Sequence, residues 1–276
     1  MGWPIRDVLR RTRLAAVVCC AMLGLTAARV VAAQDVAGAA TTAAARLPFF
    51  VGERLTYRVH AAHFGASGRL SMLVDTTEVV RGTATWVLRF DFQARVGPFK
   101  AVDRTESWLD PVRLTALRFH KHERDPLSKH DEHVEIDGAA HRWTGDGGTS
   151  GVIASDAPLD ELSFMYVLRT LPLGGSTAAA VRYDRHFDAA RNPTLLRVVG
   201  RRTLTTEAGT FRTVTVEMRV QDERRYHGEG VIRLDLTDDD WRIPVQIESD
   251  MPVVGRTRMT LASQNHPAAD HIAAVP

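Results

Sequence analysis

Apolar and polar residues alternate along most of the chain after Glu53, and this alternation constrains the fold more than any other feature. A period of two residues is that of a β-strand with one buried face. The clearest segment is 83–96, where Trp86, Leu88 and Phe90 share one face. Further segments with this pattern lie at 53–61, 69–80, 100–109, 113–123, 129–136, 179–188, 194–206, 210–221, 229–236, 242–249 and 253–262. We predict a mainly β protein, either an antiparallel sandwich or a partly open barrel of about a dozen strands.

One segment, Ser155–Leu173, instead has the composition of a helix. Asp156 suits the cap position, Pro158 suits the first turn, and Pro172 ends the segment. The apolar residues cover nearly the whole circumference of such a helix, which is typical of a buried helix and not of a surface one. At about 1.5 Å per residue the helix is too short to cross a bilayer. We therefore predict one buried helix near residues 156–171.

The spacing of these elements indicates a single β-rich domain over residues 47–262, with the helix filling the hollow of a curved sheet. Two small β-domains joined through the helix are the alternative, because the Gly-Gly-Ser stretch at 174–176 has the composition of a linker. Residues 34–46 are rich in alanine and are predicted to form a flexible leader. Residues 263–276 lack periodicity and are predicted to form a disordered tail.

Residues 1–33 have the organisation of a secretory signal peptide. Four arginines precede an apolar run over residues 14–26, and small residues follow that allow cleavage near Ala33. Both cysteines of the chain, Cys19 and Cys20, lie inside this segment, so the cleaved protein would fold without a disulfide. We predict a periplasmic or secreted protein.

Cleavage would also change the charge of the protein. The full chain has a formal net charge of +2, but residues 1–33 contain five arginines and one aspartate, so the remainder carries about −2. The remainder has no basic block and no interleaving of aromatic and basic residues, which argues against a nucleic-acid partner. It also has no apolar run long enough for a transmembrane span.

Four motifs occur in an order that resembles the DUF3108 family. They are Phe50–Tyr57 (FVGERLTY), the predicted helix ending in Arg169, Thr205–Phe211 (TTEAGTF) and Asp238–Val245 (DDDWRIPV), and the resemblance extends from residue 49 to residue 261. The resemblance implies an exported bacterial protein with a periplasmic, β-rich domain and no known activity. It transfers no catalytic residue to this chain.

Arg169 stands out because it falls among the apolar residues of the predicted helix. A buried arginine needs a carboxylate or several carbonyl groups as partners, since an unpaired buried charge is costly. Glu53 is the preferred partner, with Asp103 and Glu106 as alternatives. A pair in a dry interior indicates an architectural role. A pair that faces a cavity makes Arg169 and Glu53 candidate ligand-binding residues, with Arg169 anchoring an anionic head group.

A histidine-rich hairpin is the sharpest chemical candidate. If residues 125–128 form its turn, His122 lies opposite Asp131 and His120 lies opposite His133, so these four side chains share one face. Three imidazoles and a carboxylate are suitable ligands for Zn²⁺.

The other face of this hairpin would pair Lys121 with Glu132 and Glu123 with His130 across the strands. Charged residues on both faces are typical of a solvated hairpin that projects from the sheet, and the sequence favours this interpretation over a zinc site. Zn²⁺ therefore remains the alternative, and no other cofactor is predicted.

No segment matches a catalytic motif, because the chain lacks HExxH, CxxC and a glycine-rich phosphate loop. We expect a non-enzymatic envelope protein that binds an apolar or lipid-like ligand, or an envelope partner protein. A metal-dependent hydrolase built on the hairpin from His120 to His133 is the alternative. An empty apolar cavity beside the helix would support the first hypothesis, and four converging hairpin ligands would support the second.

Overall fold

The computed structural model describes residues 46–61, 66–96, 99–124, 129–174, 179–251 and 255–266. Fourteen strands are present in these ranges: β1 (Arg54–Ala61), β2 (Ala66–Val80), β3 (Thr83–Val96), β4 (Phe99–Asp110), β5 (Thr115–Arg124), β6 (Lys129–Asp137), β7 (Arg142–Gly145), β8 (Ser150–Val152), β9 (Val181–Tyr183), β10 (Thr194–Thr206), β11 (Gly209–Asp222), β12 (Gly228–Thr237), β13 (Pro244–Met251) and β14 (Gly255–Gln264). The helices are α1 (Glu161–Val167) and α2 (Glu223–Tyr226), with short 3₁₀ helices at Asp146–Gly148, Leu168–Thr170 and Ala189–Arg191.

The fourteen described strands join one antiparallel sheet. Strands that are neighbours in sequence pair with each other from β1 to β8 and from β9 to β14, and β1 also pairs with β14. The edge strands are therefore β8 and β9, and α1 lies in the connection between them. The prediction of a mainly β, antiparallel fold with a buried helix is confirmed, and the sheet is open at these two edges.

Alternate residues of the strands point to a shared core, as the sequence pattern requires. In β1 the side chains of Leu55, Tyr57 and Val59 are buried, whereas Arg54 and Arg58 are exposed. The largest apolar cluster combines residues of β1–β4 and β10–β14 with α1. A second cluster lies beneath β5–β8 and contains Ala116, Phe119, Val134, Ile136, Ile153 and Phe187.

Most predicted strands are present, and β3 and β10 have the predicted bounds. The sequence missed β7 and β8, because both strands are short, lack buried residues and contain glycine in place of an apolar alternation. The strand predicted at 179–188 contracts to β9, and beyond its end His186 forms an isolated parallel bridge with Leu159.

The last strand continues beyond the predicted domain limit at residue 262, since β14 ends at Gln264. Asn265 then accepts a hydrogen bond from the backbone N–H of Arg54 at 2.6 Å and donates one to the carbonyl of Gly52 at 2.8 Å. His266 is buried, with 2% of its surface exposed. The first four residues of the predicted tail therefore belong to the fold.

Helix α1 begins at Glu161, later than the predicted start near residue 156. The prediction that Asp156 caps it is wrong, because Leu159 is held extended by its bridge with His186. Asp160 is the cap, and its side chain accepts hydrogen bonds from two backbone N–H groups of the first turn. The predicted burial of the helix is confirmed by the buried side chains of Leu162, Ser163, Phe164, Tyr166 and Val167.

The predicted signal peptide, the leader up to residue 45 and residues 267–276 of the predicted tail lie outside the described residues. Among the described helices, none is both long enough and apolar enough to cross a membrane.

Candidate functional site

A cavity of about 180 Å³ lies beside α1, bordered by both helices and by the inner faces of β3–β5 and β10–β14. An engineered apolar cavity of about 150 Å³ binds benzene, so this cavity has room for one ring or for the end of one hydrocarbon chain. Its wall is largely apolar and is formed by Phe90, Leu159, Leu162, Phe164, Met165, Met218, Val220, Ile232, Ile247 and Met259.

The alternation of the strands places these side chains in the cavity. Met218 and Val220 are two residues apart on β11 and so share its inner face, and Ile232 of β12 lies opposite Met218. Met165 and Met259 complete a wall with three methionines. Because methionine is unbranched and flexible, such a wall adapts to apolar groups of different shape.

Besides Asp160 and His186, six side chains that carry a charge line the cavity, and we call them the charged cluster: Asp103, Lys121, Glu161, Arg191, Asp222 and Arg225. One oxygen of Glu161 pairs with Lys121, and the other lies 2.6 Å from Nη1 of Arg191. Burial raises the pKa of Glu161, but Lys121 and Arg191 outweigh it and hold that pKa well below its usual range. Both oxygens of this charged carboxylate are therefore engaged.

Arg225 contacts its carboxylate partners at longer distances. Its Nη2 lies 3.4 Å from Oδ2 of Asp103 and 3.6 Å from Oε1 of Glu123, whereas charge-assisted hydrogen bonds measure about 2.7–2.9 Å. The same Oδ2 lies 3.5 Å from Nζ of Lys121, and Oδ1 accepts a hydrogen bond from Thr105 at 2.8 Å. Burial lowers the pKa of Arg225, but the nearby carboxylates raise it above its usual value, so Arg225 stays charged.

Helix α2 carries Arg225 and is fixed beside the cavity. Asp222 caps it by accepting a hydrogen bond from the backbone N–H of Arg225 at 2.9 Å. Tyr226 packs directly over Gly230, where an added Cβ would lie 2.2 Å from the ring. The Tyr226 hydroxyl lies 2.8 Å from Oγ of Ser249. Glycine at position 230 is therefore required for the tyrosine to attach α2 to β12 and β13.

Asp160 is a fully buried carboxyl group in the wall of the cavity. It accepts a hydrogen bond from Ser107 Oγ at 2.5 Å, in addition to those from the first turn of α1. Burial raises the pKa of Asp160 to about 6, although these hydrogen bonds act in the opposite direction. The group therefore becomes protonated in weakly acidic solution.

His186 also lines the cavity. Its Nδ1 accepts a hydrogen bond from the backbone N–H of Asp188 at 3.1 Å, which places the proton of the neutral ring on Nε2. This Nε2 is buried and has no hydrogen-bond partner in the described ranges. Burial, assisted by Arg191, lowers the pKa of His186 to about 4, so the ring is neutral at pH 7.

The predicted pairing of Arg169 with Glu53 is present. Two nitrogens of the guanidinium lie 2.6 and 2.9 Å from the carboxylate oxygens, and the side chains are 1% and 0% exposed. Arg169 also donates to the carbonyl oxygens of Pro48 and Trp241. Its charge is thus compensated by a bidentate carboxylate and two carbonyls, and the pair joins the end of the helix to the start of β1.

The two alternative partners of Arg169 are used elsewhere, because Asp103 belongs to the charged cluster and Glu106 lies 3.1 Å from Arg89. Neither Arg169 nor Glu53 is among the residues that line the described cavity. The pair is buried and lies away from the cavity, which supports an architectural role, and a ligand-binding role for it stays a prediction.

The histidine hairpin has the predicted register, with His120 opposite His133 and His122 opposite Asp131. His122 Nδ1 lies 2.7 Å from Asp131, and His133 Nδ1 lies 2.8 Å from Asp146. The rings of His120 and His133 make an edge contact. Over the ranges that the structure describes, no group of three or more His, Cys, Asp or Glu side chains is placed to hold a metal ion. Zinc binding at the hairpin stays a prediction.

The other face of the hairpin does not form the predicted cross-strand pairs. Lys121 turns toward α1 and not toward Glu132, and its side chain is only 2% exposed. Glu123 pairs with Arg224 of α2 at 2.7 Å, while His130 contacts Glu132 on its own strand. The prediction of a hairpin solvated on both faces is wrong here, because α1 and α2 bring opposite charges to this face.

Sequence reasoning missed the charged cluster, because its members come from segments that are far apart in the chain. The sequence nevertheless contained one indication of the charged cluster. Lys121 has the same strand phase as the buried Phe119, and Asp103 has the same phase as the buried Thr105. A charge in the buried phase of a strand indicates a partner from another part of the fold.

Comparison with known families gives one match that covers most of the chain. The model of the family described as "Protein of unknown function (DUF3108)" matches residues 56–262. Among proteins with curated descriptions, none matches the chain.

The solved structures that are similar to the chain include the following three. A β-barrel-like protein of the domain of unknown function DUF1849 from Brucella abortus has 13% sequence identity and a TM-score of 0.55, covering 80% of this chain and 98% of its own. A candidate exported protein with a YmcC-like fold from Bacteroides fragilis has 14% identity and a TM-score of 0.33, covering 80% and 98%. A candidate lipoprotein from Parabacteroides distasonis has 10% identity and a TM-score of 0.31, covering 79% and 97%. The first likeness concerns the fold alone and agrees with a β-barrel-like architecture.

Proposed function

The chain belongs to the DUF3108 family, and from that premise we propose that it is an exported, non-enzymatic protein of the cell envelope that binds a lipid-like ligand. The observation that carries the proposal is the cavity beside α1, which combines an apolar wall with a charged cluster.

The amino-terminal sequence supports export. Residues 1–33 combine a basic start, an apolar run and small residues near Ala33, which is the pattern of a cleaved secretory signal. Both cysteines belong to this segment, so the exported part would have no thiol to oxidise outside the cytoplasm.

The composition of the cavity wall supports an amphiphilic ligand. Ligand sites are typically apolar with a few convergent polar groups. Here apolar side chains of α1 and the strands form most of the wall, and ionised side chains gather in a connected group beside them. Such a site favours a molecule with one hydrocarbon part and one polar end. This supports a small ligand over a large protein partner.

Native mass spectrometry tests the proposal by detecting a bound amphiphile in protein purified from its exporting host. Val220→Trp replaces a small side chain of the cavity wall with a bulky indole ring and should abolish the bound mass, because the hydrocarbon part loses its space. Val79→Trp is the matched control, since Val79 is 72% exposed. Protein free of bound amphiphile in repeated preparations, together with no uptake of added amphiphile, would refute the proposal.

A further inference from the structure

We infer that the ligand of this cavity is a single-chain amphiphile with an anionic head group, held by Arg225. The inference rests on the proposed function and adds the chemical class of the ligand to it.

The size of the cavity limits the hydrocarbon part to one chain. A volume of about 180 Å³ is close to that of an engineered cavity of about 150 Å³ that holds a single benzene ring. A lipid with two long chains requires much more space. The three methionines of the wall allow the end of one flexible chain to be accommodated.

The balance of free hydrogen-bond donors and acceptors in the charged cluster favours a negatively charged head group. Its carboxylate oxygens are largely engaged, because Glu161 is shared between Lys121 and Arg191, and Asp103 between Thr105, Lys121 and Arg225. One oxygen of the third carboxylate, Asp222, caps α2, and the other lies 4.0 Å from Arg191. A cationic head group would find few free acceptors. The cluster therefore has more donors than acceptors to offer a ligand.

Arg225 is the donor best placed for an anion. Its contacts with Asp103 and Glu123, at 3.4 and 3.6 Å, leave room for a shorter and stronger bond to a ligand oxygen. The guanidinium has five N–H donors in a planar fork that matches carboxylate and phosphate groups. Its side chain is 27% exposed, whereas that of Lys121 is 2% exposed. The head group would thus lie at the more accessible end of the cavity, beside α2.

A head-group series on the unmodified protein tests the inference directly. Decanoate, decyl phosphate, decanol and decyltrimethylammonium share one chain length and differ in the charge of the head, and calorimetry below their micelle concentrations gives each affinity. We expect the two anions to bind about tenfold more tightly than decanol, because hydrogen bonds to charged groups are the stronger ones. The comparison of decanoate with decyl phosphate identifies which anion the site prefers.

Two neighbouring arginines provide a matched pair of variants. Arg225→Gln should weaken decanoate binding about tenfold and leave decanol binding unchanged. Arg224→Gln, on the same helix and also paired with Glu123, should change neither, because Arg224 does not line the cavity. Thermal melting of each variant identifies a loss of folding, and the head-group series remains decisive if Arg225→Gln does not fold.

The outcomes separate this inference from the proposed function. Decanol or decyltrimethylammonium binding as tightly as decanoate, and losing affinity in Val220→Trp, would overturn the anionic head group while supporting a ligand cavity. An Arg225→Gln variant that folds and binds decanoate normally would overturn the role of Arg225. Failure of all four compounds to bind would refute both proposals together.

Discussion

Replacing Glu53 with glutamine should destabilise the protein strongly, because it leaves a buried guanidinium without its counter-ion. The substitution keeps the shape of the side chain, while Arg169, 1% exposed, retains the carbonyl oxygens of Pro48 and Trp241 as partners. Removing one member of a buried ion pair costs about 3–5 kcal/mol. For a domain of this size, that loss lowers Tm by roughly 6–20 °C. Urea unfolding at pH 7 measures the free energy directly.

A surface ion pair of the same chemistry provides the control for this prediction. Glu207→Gln removes the partner of Arg58 from a contact of 3.1 Å whose side chains are 56% and 57% exposed, and such exposed pairs contribute about 0–1 kcal/mol. Adding Arg169→Met to Glu53→Gln should recover part of the stability, because the unpaired charge is then absent. Equal losses at Glu53 and Glu207, or strictly additive effects in the double variant, would refute the reasoning.

Three further measurements address the cavity and the hairpin. Asp160→Asn should flatten the pH dependence of stability. The pKa of Asp160 in the folded protein, about 6, exceeds the usual value of 3.8, so the folded state binds more protons than the unfolded state between these pH values. The free energy of unfolding of the unmodified protein therefore falls as the pH rises from about 4 to about 6. Across this pH range the unmodified protein should lose on the order of 3 kcal/mol more than the Asp160→Asn variant, as measured by urea unfolding. An equal dependence of stability on pH in the two proteins would contradict the prediction. Gly230→Ala should displace Tyr226, cost about 1–3 kcal/mol and speed hydrogen exchange in α2, whereas unchanged exchange would show that the contact is dispensable. Zinc calorimetry tests the zinc site predicted at the hairpin: uptake at micromolar affinity that disappears on changing His120 and His133 to alanine would establish it, and no uptake would exclude it.

The elements that could be predicted from the sequence are those with a strong local period. The bounds of β3 and β10 agree with the alternation, because a strand with one buried face repeats its pattern every two residues. Strands β7 and β8 lack that signal, since they bury no residue. The start of α1 was misplaced for another reason. Asp156 and Asp160 are both acceptable caps by residue type, and the tertiary bridge at Leu159 selects the second.

The candidate site was predictable only in part. A buried charge must have a partner, and this rule led from Arg169 to three candidate carboxylates, of which the structure selects the preferred one, Glu53. The same rule applied to Lys121 would have indicated a buried partner, but no sequence period identifies that partner as Glu161. The sequence could not predict the cavity beside the helix, because empty space depends on how side chains from distant segments pack. A cavity could only be named as the observation that would support ligand binding.

By itself, the sequence determined the β-rich class, the positions of most strands, the presence of a buried helix and the need of Arg169 for a partner, with Glu53 preferred. These follow from local periodicity and from the cost of an unpaired buried charge. Only the tertiary structure decided that the sheet is open between β8 and β9, that α1 leaves a cavity beside it, and that six charged residues meet there. The physical reason is that these features arise from contacts between segments far apart in the chain, which no local pattern encodes.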